Sequence, residues 1–215
     1  MRNGVKSKIS EIVSLVEKLP YFTLDNLIGL SKNKNYLKIL LSRYQKAGKL
    51  IRLKKGFYTS KSYVDAVQKS DGFSPYIEFV SNLLCEPSYL SLEYVLYEHN
   101  ILTDVPVNFT SITKNKTNRF INKFGNFFYH KISSRLFCGF NILKKGGLII
   151  YKATKAKALF DYIYLRKNVL TTEDSIKELR LNLNDFSEKD LKEFKKYIKM
   201  EKSKKLRSIT GFIFK

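Results

Sequence analysis

The apolar positions of the first sixty residues change period partway along the chain. Ile9, Ile12, Val13, Val16 and Leu19 recur within Ser7–Leu19 at the spacing of one helix face. Pro20 ends that helix, because the residue before a proline is driven out of helical geometry. Thr23 is placed to cap a second short helix, Leu24–Leu30, with Leu24, Leu27 and Ile28 facing inward. After the turn Ser31–Lys34, the pattern predicts a third helix from about Asn35 to Ala47, striped by Tyr36, Leu37, Leu40, Leu41 and Tyr44. Gly48 stops it, since glycine takes the left-handed conformation past a helix end at little cost. From Leu50 the period falls to two. Leu50–Thr59 reads as two short strands joined by Lys54-Lys55-Gly56, a hairpin with a basic tip.

Residues Lys61–Ser74 read as a connecting helix or linker, with Ser70-Asp71-Gly72 as the break. Beyond it, helices are predicted over Pro75–Leu84, Leu92–His99 (capped by Ser91), Lys155–Arg166 and Glu188–Met200, with a weaker one over Thr172–Leu179. Strands are predicted over Val107–Thr113, Asn126–Ile132, Leu136–Phe140 and Leu148–Lys152. The last stretch, Lys204–Lys215, is basic and then apolar through Ile209, Phe212 and Phe214, and is expected to dock as an extended strand. The expected fold class is α+β. An N-terminal winged helix-turn-helix would occupy residues 1–70, and a larger mixed α/β domain residues 71–215.

Charge sharpens the picture. The chain carries 40 Lys+Arg against 19 Asp+Glu, a net +21, and residues 1–72 hold 15 against 5, a net +10. Such an excess repels itself unless an anionic partner offsets it, and nucleic acid is the commonest one. Biased codon usage also produces chains rich in Lys, Asn and Ile, so charge supports the inference without carrying it. Three short helices followed by a basic hairpin is the winged-helix order, in which the third helix lies in the major groove of DNA. Lys32, Asn33, Lys34, Asn35, Lys38, Ser42 and Arg43 lie on the preceding loop or away from the apolar stripe. Asn suits adenine, while Lys and Arg suit guanine or phosphate. Arg52, Lys54 and Lys55 would set the hairpin against the backbone or a minor groove. The bland alternative is a solvated surface on a protein-binding winged helix.

Candidate chemistry elsewhere is sparse. A structural zinc site needs about four N or S ligands, and Cys85, Cys138, His99 and His130 are scattered. Both cysteines read as small buried hydrophobes in a reducing compartment. His99, beside Asn100 at a helix end, suits a capping or charge–dipole role, and His130, beside Tyr129 in a strand, a structural one. GxSxG, P-loop and HExxH patterns are missing. Asp161, on the apolar stretch Ala158–Tyr164, would pair with a neighbouring arginine as readily as catalyse. No enzyme, metal or cofactor is expected. The opening MRNGVKSKIS lacks a signal-peptide stretch, and no apolar run approaches the roughly 20 residues that span a bilayer. A cytoplasmic protein without a membrane partner is the expectation.

Several segments resemble, in order, the AbiEi-type antitoxins. They are the Gly48–Tyr58 hairpin, Tyr89–Leu102, Thr110–Thr113, Gly125–Ile132, Leu136–Gly139 and Ala153–Leu165. That family is described as transcriptional regulators of viral defence systems, and the likeness covers most of the chain. It departs at Lys155-Ala156, where the family often has Pro-Glu. The resemblance implies an autoregulating repressor whose winged helix binds double-stranded DNA at inverted repeats in its own promoter. It also implies a C-terminal domain that counteracts a nucleotidyltransferase-like toxin without a stable complex. Two other classes stay open: a stand-alone winged-helix transcription factor without a toxin, and an enzyme such as a nuclease on the C-terminal core. The scattered acids of residues 73–170 argue against the nuclease.

Overall fold

The computed structural model describes residues 14–29, 31 and 33–214, and among these the fold is α+β with two sheets. Ile9, Ile12, Val13 and Leu30 of the predicted helices lie outside the described residues, whereas Val16 is buried. Two compact units divide the chain: Met1–Val80 with Ile121–Phe124, and Ser81–Phe120 with Gly125–Lys215.

In the first unit, strand β1 (Phe22–Thr23) and a 3-10 turn (Asp25–Leu27) precede helix α1 (Lys34–Lys46). Strands β2 (Leu50–Lys54) and β3 (Phe57–Ser60) follow, then helix α2 (Lys61–Lys69). The sheet runs β1-β3-β2, antiparallel throughout, with Phe22 opposite Tyr58 and Ile51 opposite Thr59. A hydrophobic core of this unit is built from Val16, Phe22, Leu27, Leu37, Leu40, Leu41, Tyr44 and Leu50. Each large apolar side chain taken from water there contributes about 1.5–3 kcal/mol. Four of them on one face of α1 fix its roll about its own axis.

Helix α1 begins where Asn33 caps it, its side chain accepting from the Asn35 and Tyr36 backbone N–H groups. It ends before Gly48, which sits at φ +72°. The predicted second helix does not form beyond a single 3-10 turn. Thr23 is no cap: it pairs with Phe57 in the sheet, and the Asn26 side chain accepts from its N–H and hydroxyl instead. Leu27 is buried as expected, but Ile28 is 39% exposed, and Tyr36 of the predicted α1 stripe is 38% exposed.

Helix α3 (Phe73–Leu84) contains the Val80/Ser81 division. Strands β4 (Ser88–Leu90), β5 (Asn108–Thr113), β6 (Asn118–Asn122), β7 (Gly125–Lys131), β8 (Phe140–Lys145) and β9 (Leu148–Ala153) form one mixed sheet, ordered β6-β7-β5-β4-β9-β8. Pairs β5–β7 and β4–β9 are parallel, and β4–β5 and β8–β9 antiparallel. The second unit's helices are α4 (Leu92–Glu98), α5 (Lys155–Arg166), α6 (Glu173–Lys177), α7 (Glu188–Glu201) and α8 (Lys204–Ile213).

Three expectations for this unit are corrected. Leu136–Phe140 is not a strand: Ser134–Leu136 is a 3-10 turn, and Gly139 at φ +75° bends the chain before β8 starts at Phe140. The tail is helical, because Ser203 caps it at the Leu206 N–H and buried Leu206 and Ile209 stand one turn apart. Ser91 does not cap α4, since its hydroxyl is turned to Asp161. Helix α5, without Pro-Glu at its start, is capped by Thr154, which accepts from the Lys157 N–H.

Candidate nucleic-acid interface

At 3.6 residues per turn, the buried residues of α1 define which positions point outward. Opposite Leu37, Leu40, Leu41 and Tyr44 lie Asn35, Ile39, Ser42 and Lys46, all exposed. Lys34 and Lys38 flank this stripe on one side, and Tyr36 and Arg43 on the other, again exposed. The outward face therefore carries Asn35, Ile39 and Ser42 along its middle, Lys34, Lys38 and Arg43 at its margins and Lys46 at its C-terminal end, over about 20 Å of helix at 1.5 Å per residue.

The described members of the predicted set are Asn33, Lys34, Asn35, Lys38, Ser42 and Arg43 on or beside α1, and Arg52, Lys54 and Lys55 on the hairpin; Lys32 lies outside the described residues. Their roles differ. The Asn33 carbonyl oxygen is committed to the α1 cap, which leaves its amide NH2 for an outside partner. Lys34 approaches Asp25 at 3.9 Å, but both are well exposed, so the pair holds Lys34 weakly. Arg52 projects outward between buried Ile51 and Leu53. A register shift between Arg52 and Lys54 sharpens the hairpin's twist. Lys54 packs its ammonium 4.1 Å over the Phe57 ring and is half-buried, whereas Lys55 is exposed at the tip. Sequence reasoning missed Ile39 and Lys46 on the outward row. The signal was available: Ile39 lies four residues after Asn35 and three before Ser42, and Lys46 four after Ser42, all on one helix face.

The second unit holds a different polar cluster. Lys157 and Asp161 are fully buried, and Asp161 Oδ2 also accepts from the Tyr89 and Ser91 hydroxyls at 3.0 and 2.8 Å. The partner is a lysine one turn away and not the expected arginine. Burial pushes the Asp161 carboxyl up, against the pull of Lys157 and its hydrogen bonds, and pushes the Tyr89 phenol well above its usual value. Neither charged group meets solvent, so the cluster is built to join α5 to β4 and its following loop.

His99 closes α4, and burial, then Lys155 and Lys152, holds its ring below the usual imidazole value. His99 occupies the helix C-cap, the capping place expected of it, with its backbone N–H donating to the Val95 carbonyl. His130 is lowered chiefly by burial. Cys85 is buried, but Cys138 is only half-buried. Among the described residues, no three His, Cys, Asp or Glu side chains gather as a metal site, and no helix is long and apolar enough to cross a membrane. Comparison with protein-family models and with curated proteins yields no match.

Proposed function

We propose that the chain is a DNA-binding transcriptional repressor whose first unit is a winged helix-turn-helix, with α1 as the helix that enters the major groove. The observation that carries this reading is the outward face of α1: hydrogen-bonding and apolar groups in the middle, cations on both margins, and exposed Arg52 and Lys55 on the neighbouring hairpin. A major groove about 12 Å wide admits one helix, and its phosphates line both edges. The margins match those edges, and the middle row matches the base edges. The element order supports the same reading, since β1 pairs with β3 and the β2–β3 hairpin follows the helix directly.

The residue resemblance extends the proposal to a cytoplasmic antitoxin of the AbiE kind. It would bind inverted repeats in its own promoter and counteract a nucleotidyltransferase-like toxin without a lasting complex, with no cofactor and no catalysed reaction. An inverted repeat takes two copies of the chain, one per half-site.

A gel-shift titration of the full chain against its own upstream DNA, with scrambled competitor and two salt concentrations, tests the repressor reading. Selective retention of the promoter fragment is expected. Equal, salt-sensitive binding to both DNAs would overturn it. Toxin rescue on co-expression tests the second half separately, and promoter binding without rescue would leave a repressor with no toxin to oppose.

A further inference from the structure

We infer that Ile39 reads the thymine methyl group, and that with Asn35 it makes A·T pairs the sequence content recognised by α1. This rests on the proposed DNA-binding role of that helix. Ile39 is 54% exposed in the centre of the outward row, one turn from both Asn35 and Ser42. Isoleucine is a poorer helix former than the lysines around it, so local helix stability gives no reason for it there.

The surroundings decide what would cover it. Lys34, Lys38, Arg43 and Lys46 ring the position, and α1 contains no acidic residue. A protein partner would need apolar surface embedded in dense negative charge. A DNA major groove offers that combination: phosphates at both edges and, on thymine alone among the four bases, an isolated methyl group. Asn35, one turn towards the helix start, matches adenine N6 and N7 with its acceptor and donor. α1 also lacks a carboxylate, the side chain that pairs best with the cytosine amino group. Asn35 to Ser42 spans seven steps, about 10 Å of helix, enough to follow roughly three base pairs.

The test uses the full chain and a random 30-base-pair duplex pool, selected at two salt concentrations. The enriched site is then remade with each thymine in turn replaced by deoxyuridine, which removes only the methyl. An A·T-centred site is expected, with one or two thymines whose replacement weakens wild-type binding about fourfold, the worth of burying one methyl group. Ile39→Ala should bind the thymine and deoxyuridine duplexes equally. An enriched site at which no deoxyuridine replacement changes wild-type affinity would overturn this inference while leaving DNA reading intact. A pool that yields no enriched sequence would overturn the DNA-reading proposal itself, and this inference with it. The deoxyuridine comparison uses the wild-type chain, so it does not depend on the folding of a variant.

Discussion

Lys157 and Asp161 stand one turn apart on α5 with no solvent exposure, their Nζ and Oδ1 atoms 2.5 Å apart. The second carboxylate oxygen faces Tyr89 and Ser91, 72 and 70 residues earlier in the chain. The ammonium is also surrounded by the rings of Tyr89, Phe160 and Tyr197. Such a pair adds little over an apolar replacement of the same shape, yet breaking it leaves a buried charge without compensation. Lys157→Met should therefore lower unfolding free energy by about 3–5 kcal/mol, and Asp161→Leu by a similar amount. The double variant should lose clearly less than the sum, although Tyr89 and Ser91 would still lack an acceptor. Denaturant unfolding of the three variants measures this. Additive losses would mean that the two charges do not stabilise each other.

The two histidines set a pH dependence of definite sign. Both are held below 6.5 in the folded chain, His99 by burial and then by Lys155 and Lys152, His130 by burial with Arg166 adding and Glu93 opposing. Below that value the unfolded chain takes up protons that the folded chain refuses. Their contribution is therefore complete above about pH 6.5 and is lost as the pH falls through their folded values. Thermal unfolding followed from about pH 8 to about pH 5 should show the midpoint falling on the acid side, and less steeply in a His99→Gln, His130→Gln chain. A profile unchanged by both replacements would assign the acid sensitivity to carboxylates instead.

What the sequence revealed depended on how local each determinant is. Helix α5 was predicted as Lys155–Arg166 and occupies those residues, because its cap and its apolar face lie within the segment itself. Helix α1 was displaced by a single residue at each end. The failures involve competition. Thr23 could cap a helix or pair with Phe57, and the sheet won. In the tail, Ile209, Phe212 and Phe214 alone suggest an extended segment, and only Leu206 with Ile209 supplies the three-residue spacing of a helix face. At the candidate site, the cations were visible as the residues outside the apolar stripe. The commitment of Asn33 to the cap and the outward place of Ile39 required knowing where α1 starts and how it is rolled. The partners of Asp161 were out of reach, since Tyr89 and Ser91 are brought to it only by the sheet.

Gly139 turns the chain into β8 at φ +75°, and a Cβ there would fall 2.1 Å from the Tyr197 hydroxyl oxygen and 3.0 Å from Lys157 Cδ. Tyr197 cannot simply rotate away, since its hydroxyl donates to Glu193 at 2.6 Å. Gly139→Ala combines left-handed strain of about 1–2 kcal/mol with overpacking of about 1–3 kcal/mol. Gly48, at φ +72° with open space around it, isolates the first contribution. Denaturant unfolding should rank Gly139→Ala well below Gly48→Ala in stability. Equal losses would show that the Tyr197 contact yields without cost.

The roles assigned along α1 separate in a salt titration. Lys34 and Lys38 share one margin of the outward face, so in the DNA complex both would meet phosphates of the same strand edge. Each phosphate contact contributes about 0.9 to the slope of log affinity against log salt concentration. Replacing both by Gln should flatten that slope by nearly two units while leaving the preferred sequence unchanged. Asn35→Ala should do the reverse, keeping the slope and relaxing the preference at one base pair. Asn33 offers a third pattern, because its carbonyl oxygen holds the α1 cap. Asn33→Ala should cost about 1 kcal/mol of stability and weaken binding to all sequences alike, whereas Asn33→Ser, which retains a capping oxygen, should restore both. Binding curves at four salt concentrations on the preferred duplex and a single-base variant distinguish the three. An unchanged slope in the lysine variant, together with unchanged preference in Asn35→Ala, would remove α1 from the DNA interface and leave its cations a solvated surface.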